Sequence, residues 1–348
     1  MKVSSNRISV LLSSILVFLL GISSFAQHAE SEINEHGIVE THPEEKLNVS
    51  EAIIHHVLDD HVWHFADAFV LPLPVMVYSS EKGFDAFLSS NFYDDHHKLK
   101  EYNGYVLEHG KIHLTNGGHV FDFSITKNVA MLLLNATLLL LVFMAVANGY
   151  KRNKNKAPSG IQSFLEPVII FIRDEVVKPN VGPRYEKFLP YMLTLFFFIL
   201  FGNLLGLLPG AGNLTGNIAV TGALAVLTFI ITNVNGKKDY WKHIFWTPGV
   251  PLPLRIFILP VEIIGVFTKP LSLMVRLFVA ITAGHIVLLS LICLTFIFRS
   301  IFVGFGSTVI VLFISLIELL VAGIQAYVFT LFSSLYIGMA IAEHDDHH

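Results

Sequence analysis

Two apolar runs at the end of the chain, residues 256–298 and 300–342, constrain its fold more than any other feature. Each run has about 43 residues, and even 35 of them as helix would reach roughly 50 Å at 1.5 Å per residue. The hydrocarbon core of a bilayer is only about 30 Å thick, so such helices must tilt steeply or lie partly within the membrane. We therefore predict that the chain ends in a long, slanted helical hairpin, whose first helix is broken near its start by Pro260 and Pro270.

Three further apolar segments come before this hairpin, at residues 128–150, 188–209 and 217–235. Basic clusters at 151–156 and 236–243 mark the cytoplasmic ends of the first and third segments, because positive residues concentrate on that side. The composition agrees, with 53% hydrophobic residues, 14% charged residues and a mean hydropathy of +0.62. The predicted fold class is therefore an all-α polytopic membrane protein with five membrane helices.

One segment between the first two spans has a different pattern. Residues 163–187 mix apolar and charged side chains on a helical period. Such a helix is typical of a membrane surface, where one face contacts lipid and the other contacts water. We predict an amphipathic helix that lies along the cytoplasmic face and does not cross the membrane.

The N-terminal third is organised differently. Residues 1–26 have the layout of a secretory signal peptide, and a retained signal anchor is the alternative. Residues 27–124 are polar and predict a small extracytoplasmic domain, followed by the membrane domain at 125–348. Within this domain, 49–69 has apolar residues at helical spacing behind Ser50, a plausible N-cap. Alternation around the Asn-Gly-Gly turn at 116–118 predicts short hairpin strands.

Most of the 17 histidines lie between His28 and His119, which raises the question of a metal site. The pairs 55–56 and 96–97 could bind metal, but their spacing matches no dedicated zinc site, so we interpret them as a solvated surface. The single cysteine, Cys293, excludes a disulfide framework. A net charge of −4 gives no reason to expect nucleic acid. No phosphate-binding loop motif occurs, and no cofactor is expected.

Ionisable residues inside the last two apolar runs are the strongest functional signal, because burying a charge in lipid is costly. Arg276 lies on a face of small residues that includes Ala280 and Gly284, with no acid within one turn of its own helix. On the last helix, Glu318 and Gln325 are seven residues apart and share a side. Small-residue stripes usually serve helix packing within one chain, but an arginine placed there needs a counter-charge from elsewhere.

The sequences KPLSLMVRLFVAITAGHIVLL and IELLVAGIQAYVFTLFSSLYIGMA, together with FGNLLGLLPG, resemble subunit a of the F-type ATP synthase. The resemblance extends from about Phe123 to the end of the chain and leaves out the His-rich domain. It implies a non-catalytic stator subunit with two half-channels that carry protons to and from a rotating ring of c subunits. It also implies partners in the b subunits of the peripheral stalk and the rest of the complex, and a bacterial inner-membrane location with the C-terminus in the cytoplasm.

The resemblance also implies roles for individual residues. Arg276 corresponds to the arginine that faces the c-ring carboxylates, while Ala280 replaces the asparagine that usually follows one turn later. The implied outer half-channel contains His285, Glu318 and Gln325, and the implied cytoplasmic half-channel contains Glu262.

Other interpretations stay open at this point. Glu262 could instead form an interfacial ion pair with Lys269 or Arg255, and His285 with Glu318 could be a structural ion pair. The asparagines at 203, 213 and 217 could line a channel or serve turns and packing. A secondary transporter also buries ions, but we find no internal repeat in the five segments. A structural subunit without conduction would have no use for these charges.

Overall fold

The computed structural model describes residues 61–66, 69–79, 82–93, 100–108, 110–116, 120–152, 160–208, 212–246, 251–298 and 301–342. The predicted signal peptide and the two histidine pairs lie outside these residues. The chain divides into two compact units. The first contains residues 1–133, 205–213 and 285–316, and the second contains 134–204, 214–284 and 317–348.

The first unit carries the strands of the N-terminal region. They are β1 (Val62–Ala66), β2 (Phe69–Pro72), β3 (Pro74–Ser79), β4 (Gly83–Leu88), β5 (Tyr105–Glu108), β6 (Lys111–Leu114) and β7 (Val120–Asp122). β1 pairs with β2, β5 pairs with β6, and β3 lies between β4 and β7, all antiparallel. The described part of this region is therefore a β domain, so the all-α class predicted for the chain holds only for the membrane part.

The helix predicted at residues 49–69 is wrong where the structure describes it. Residues 62–66 and 69–72 form the β1–β2 hairpin instead. Trp63 and Leu73 are buried together with Met131, so contacts with a distant segment stabilise the extended conformation over the local helical period.

The strands predicted after residue 104 are confirmed, but their hairpin closes at a different turn. Glu108 pairs with Lys111, which leaves a two-residue connection ending in Gly110. Gly110 has a φ of 73°, a left-handed conformation that glycine adopts at no steric cost. β7, which follows the Asn-Gly-Gly sequence, pairs with β3 rather than with β6.

The remaining described elements are helical: α1 (Lys127–Arg152), α2 (Ile161–Phe171), a π-helical turn (Ile172–Val177), α3 (Lys178–Val181), α4 (Tyr185–Gly206), α5 (Ile218–Val234), α6 (Lys238–Phe245), α7 (Leu252–Phe298), α8 (Ile301–Ile341) and 3₁₀ turns at Ser89–Phe92, Gly182–Arg184 and Leu214–Gly216. Four helical stretches, or up to five if the pair α5 and α6 counts as one, are long and apolar enough to cross a membrane. The polytopic membrane class is thus confirmed. The predicted amphipathic segment 163–187 is helical and runs on into α4, so 161–206 forms one 46-residue stretch.

The two closing helices have the predicted lengths, 47 residues for α7 and 41 for α8. The predicted break at Pro260 and Pro270 is wrong, because α7 continues through both prolines. Each proline removes one backbone hydrogen bond, and a membrane helix tolerates this loss where neighbouring groups satisfy the freed carbonyl.

The second unit has a continuous apolar core. Ile172, Val176 and Val177 of the π-helical turn are fully buried and belong to the same cluster as Leu277 of α7 and Ala326 of α8. A buried Ser334 on α8 also donates to the backbone carbonyl of Val176 over 3.5 Å. This core fixes one side of α7 and α8, which carry most of the predicted site residues.

Candidate functional site

Within the second unit, α7 and α8 pack against each other in antiparallel register. The guanidinium carbon of Arg276 lies 4.4 Å from the ring centre of Phe332. The ammonium of Lys269 lies 5.7 Å from the ring centre of Tyr336. At the other end of the contact, Gly284 faces Glu318. As residue numbers rise on α7 they fall on α8, and this places Gln325 opposite the region of Ala280.

Arg276 lies at the border between the buried and exposed sides of α7. Leu273 and Leu277 are buried at 2% and 1% exposure, whereas Val275 and Val279 are exposed. Arg276 itself is partly exposed. Its contact with the Phe332 ring is within the range of a cation–π interaction. In the described part of the chain, no carboxylate lies within 4.0 Å of its guanidinium. The positive charge therefore has an aromatic neighbour and no counter-ion among these residues.

Glu318 is buried, with 3% of its surface exposed. A Cβ built on Gly284 would lie 2.8 Å from its Oε1, so the carboxylate occupies the space that a side chain at position 284 would fill. This explains part of the small-residue face of α7: Gly284 serves close packing against α8 within one chain. Gln325 follows Glu318 by two helical turns, about 10 Å along the axis, and is partly exposed.

His285 belongs to the first unit, where its Nε2 lies 3.2 Å from the backbone carbonyl oxygen of Gly206 at the end of α4. Glu318 belongs to the second unit, so the pairing of His285 with Glu318 stays a prediction.

Glu262 lies on α7 and is partly exposed. Among the described residues, no ion pair within 4.0 Å joins it to Lys269 or Arg255. Lys269 instead lies over the ring of Tyr336, and the guanidinium carbon of Arg255 lies 3.8 Å from the ring centre of Trp246. These aromatic contacts give no support to an ion pair of Glu262 with either cation, and its channel role stays a prediction.

Two of the three asparagines near the α4–α5 connection, Asn203 and Asn217, make contacts that serve the fold. Asn203 is 2% exposed, donates to the carbonyl of Ala322 over 3.2 Å and accepts from Thr215 over 2.7 Å. Asn217 caps α5, because its Oδ1 accepts from the backbone N–H of Ala219 over 2.8 Å. These contacts favour packing and turn roles for both residues.

Sequence reasoning missed Phe332 and Tyr336, which contact the two cations of α7. A signal for Phe332 was present, since it follows Gln325 by seven residues and thus extends the side shared by Glu318 and Gln325. The sequence signal for a site was a charged residue inside an apolar run, and neither Phe332 nor Tyr336 is charged. An aromatic side chain in an apolar run looks like an ordinary contact with lipid or with the protein core.

Comparisons with known proteins identify the family of the chain. A family model described as ATP synthase A chain matches residues 129–338, and one described as a domain of unknown function matches residues 52–132. The chain is 44% identical over 261 residues to "ATP synthase subunit a" of Chloroherpeton thalassium, covering 72% of this chain and 77% of the relative. It is 38% identical over 361 residues to "ATP synthase subunit a" of Chlorobium phaeobacteroides, covering 96% of this chain and 93% of the relative.

A third relative, "ATP synthase subunit a 2" of Chlorobaculum tepidum, is 45% identical over 262 residues, covering 72% of this chain and 73% of the relative. The family model spans more than half of the 348 residues, including the whole contact between α7 and α8 in the second unit. The chain therefore belongs to the ATP synthase A chain family, whose members are multi-pass membrane proteins that form the proton-channel stator subunit of F-type ATP synthase and work with the c-ring and the rest of that complex.

Proposed function

We propose that Arg276 is the group of the stator that faces the ionisable carboxylates of the c-ring. The observation that carries this proposal is a partly exposed guanidinium in an apolar helix, held beside Phe332 with no carboxylate within 4.0 Å among the described residues. Such a charge is costly in a membrane unless a partner supplies the opposite charge. The rotating c-ring supplies this negative charge, because each c subunit brings one carboxylate past Arg276.

The charge of Arg276 then has two effects. A cation stabilises the ionised form of a nearby carboxylate, so a c-ring carboxylate arriving at Arg276 releases its proton. The same fixed positive charge also repels a proton that would cross directly between the two aqueous half-channels. Protons must therefore travel on the ring, and the membrane potential, worth about 2.3 kcal/mol per charge per 100 mV, drives rotation.

The half-channel residues extend this proposal. His285, Glu318 and Gln325 form the outer half-channel, and Glu262 belongs to the cytoplasmic one. An imidazole can accept a proton on one ring nitrogen and donate one from the other, and a carboxyl group can take up or release a proton, which suits a relay. Support for the assignment comes from the 3% exposure of Glu318 and from the position of Gln325 on the same side of α8. Protons are the proposed coupling ion.

The proposed setting is a bacterial inner membrane. Residues 1–26 act as a signal peptide, residues 27–124 lie in the periplasm and the C-terminus lies in the cytoplasm. The basic residues at 151–156 and 236–243 support this orientation, because they flank apolar helices on one side. The b subunits of the peripheral stalk hold the chain against rotation, and lipid covers the exposed apolar sides of α1, α7 and α8.

The test is the variant Arg276→Ala in the whole complex. Membrane vesicles carrying it should contain normal amounts of assembled complex yet show neither ATP-driven proton pumping nor ATP synthesis, because the ring carboxylate then keeps its proton. Val279→Ala, an exposed position one turn away on α7, is the matched control and should couple normally. Normal pumping by Arg276→Ala would overturn the assignment.

A further inference from the structure

The β3, β4 and β7 sheet of the first unit has two sides of opposite character. Exposure alternates strictly along β3 and β4, as expected for strands with one side on a core. Val75 and Val77 point inward and are fully buried against Phe92 and Tyr105. The other side faces outward, where a water-facing sheet normally carries polar residues.

The outward side is apolar and rich in aromatic rings. We call it the aromatic face; its members are Pro74, Met76, Tyr78, Phe84, Ala86, Leu88, Phe121 and Phe123. Tyr78 is paired with Phe84 on one side and with Phe121 on the other. The exposed fractions of Phe84, Phe121 and Phe123 are 63%, 58% and 65%. This is a contiguous exposed apolar surface rather than scattered single side chains.

The acidic residues of the same strands point to the opposite side. Asp85 accepts a hydrogen bond from the buried Tyr105 hydroxyl over 2.8 Å. Asp122 lies 3.3 Å from Nε2 of the buried His61. The aromatic face therefore contains no charged side chain in its described strands, which removes the desolvation cost that a charge would impose on an apolar contact.

The aromatic face is continuous with the chain that enters the membrane. Beyond β7, the backbone N–H groups of Phe123 and Ile125 still donate to β3, over 2.9 Å and 3.1 Å. α1 begins two residues later at Lys127, and its exposed apolar surface starts at Val129. Four residues reach at most about 13 Å, so Phe123 lies close to the level at which α1 enters the bilayer.

A second contact keeps the β domain at this level. Met131, in the second turn of α1, is buried at 1% exposure against Trp63 and Leu73 of the β domain. The sheet is thus joined to the membrane helix by its edge strand and by a packed apolar cluster, not by a flexible linker alone. Both connections lie within the first unit.

We propose that the aromatic face binds the lipid bilayer itself, at the headgroup and acyl boundary of the leaflet that α1 enters first. Phenylalanine and leucine side chains enter this boundary with their apolar area, and tyrosine is enriched there because its ring is apolar while its hydroxyl contacts the polar interface. The proposal is independent of the channel roles, since it requires only that α1 crosses the membrane. Contact with the membrane would hold the β domain against the surface of the bilayer.

The test uses the whole ATP synthase complex in phosphatidylethanolamine and phosphatidylglycerol vesicles. In a Cys293→Ala background, single cysteines at Phe84→Cys and Phe121→Cys carry an NBD fluorophore, and nitroxide-labelled lipids act as quenchers. Lys111→Cys, exposed on β6 outside the aromatic face, is the matched control. We expect a blue-shifted emission and several-fold stronger quenching by shallow nitroxide lipids at 84 and 121 than at 111.

Other results would overturn the proposal. A probe at 84 and 121 that is shielded from aqueous iodide but not quenched by nitroxide lipids would indicate that a protein partner covers the face. Equal access of iodide at all three positions would indicate a bare surface. Proton pumping by the labelled complexes, measured in parallel, reports intact assembly and is expected to be unchanged, which separates this test from that of Arg276.

Discussion

The carboxylate of Glu318 lies where a side chain at position 284 would begin, since a Cβ on Gly284 would be 2.8 Å from Oε1. Two other side-chain atoms of Glu318 would lie at 3.2 Å and 3.3 Å. The absence of a side chain at position 284 thus permits the buried position of the acid on α8. The close packing of α7 against α8 and the location of the Glu318 carboxylate therefore depend on each other.

Gly284→Ala should therefore impair proton transport. The new methyl group displaces the carboxylate of Glu318, although alanine by itself favours a helix by about 1 kcal/mol over glycine. We expect a several-fold loss of ATP-driven pumping in vesicles with the complex assembled. Gly265→Ala and Gly323→Ala are matched controls on α7 and α8, because a Cβ at either position meets nothing within 4 Å. Equal pumping by all three variants would show that the position of Glu318 is unimportant.

Phe332→Leu tests how Arg276 is held. Leucine keeps apolar bulk but removes the aromatic ring, and with it a cation–π interaction worth about 0.5–2 kcal/mol. We expect slower pumping and a larger proton leak, because the guanidinium then samples more positions. Phe313→Leu, an exposed position on the same helix, should leave both rates unchanged. The contact would be incidental if the Phe332 and Phe313 variants behaved alike.

Glu262→Gln tests the cytoplasmic half-channel. The amide keeps the shape of the side chain but cannot accept a proton, so ATP synthesis and pumping should fall and their dependence on pH should change. Glu186→Gln, an exposed acid at the start of α4, is the control for a general loss of charge. Rates of the Glu262 variant that match those of the native complex at every pH would exclude the channel role.

The exchange of His285 and Glu318 tests the outer relay. The relay needs one carboxyl group and one imidazole, but either position can carry either group. His285→Glu combined with Glu318→His should therefore retain more ATP-linked proton transport than either single change. A structural ion pair would instead restore assembly without restoring transport. A double variant no better than the worse single variant, or two single variants with normal transport, would refute the relay.

Asp122 predicts a pH effect in the β domain. Burial alone raises the pKa of this carboxyl, but hydrogen bonds from His61 and Ser124 outweigh burial and lower the pKa below its ordinary value. A carboxyl whose pKa is lowered in the folded state stabilises it above the pKa of the unfolded chain, and this stability is lost as the pH falls through the folded value. The β domain should therefore lose stability below about pH 4.

Hydrogen exchange of residues 61–125 in the intact complex measures this loss. Asp122→Asn should flatten the dependence of protection on pH in that acidic window, because asparagine does not ionise. Glu101→Gln, an exposed acid of the same domain, is the control and should leave the dependence as it is. An unchanged pH dependence in the Asp122 variant would assign the effect to other carboxyls.

The sequence by itself determined the membrane class and the approximate lengths of α7 and α8, and it singled out Arg276, Glu318 and Gln325 as candidates for the site. Helical spans need long apolar runs, and a charge inside such a run is rare enough to identify without a structure. The side of a helix that a residue occupies also follows from its number alone, because the helical period is fixed.

Tertiary structure alone decided which residues meet. The sequence places Phe332 on the side of α8 shared by Glu318 and Gln325, but it does not show which residue of α7 Phe332 meets. It also does not show that Glu318 fills the space beside Gly284, because both contacts depend on the register between the two helices. The same reason explains why the helix predicted at 49–69 fails at residues 62–66: the apolar residues fit a helical period locally, but burial of Trp63 against Met131 stabilises a strand. The local spacing of apolar residues limits which secondary structures a segment can form. Packing against distant segments, which that spacing does not show, selects one of them.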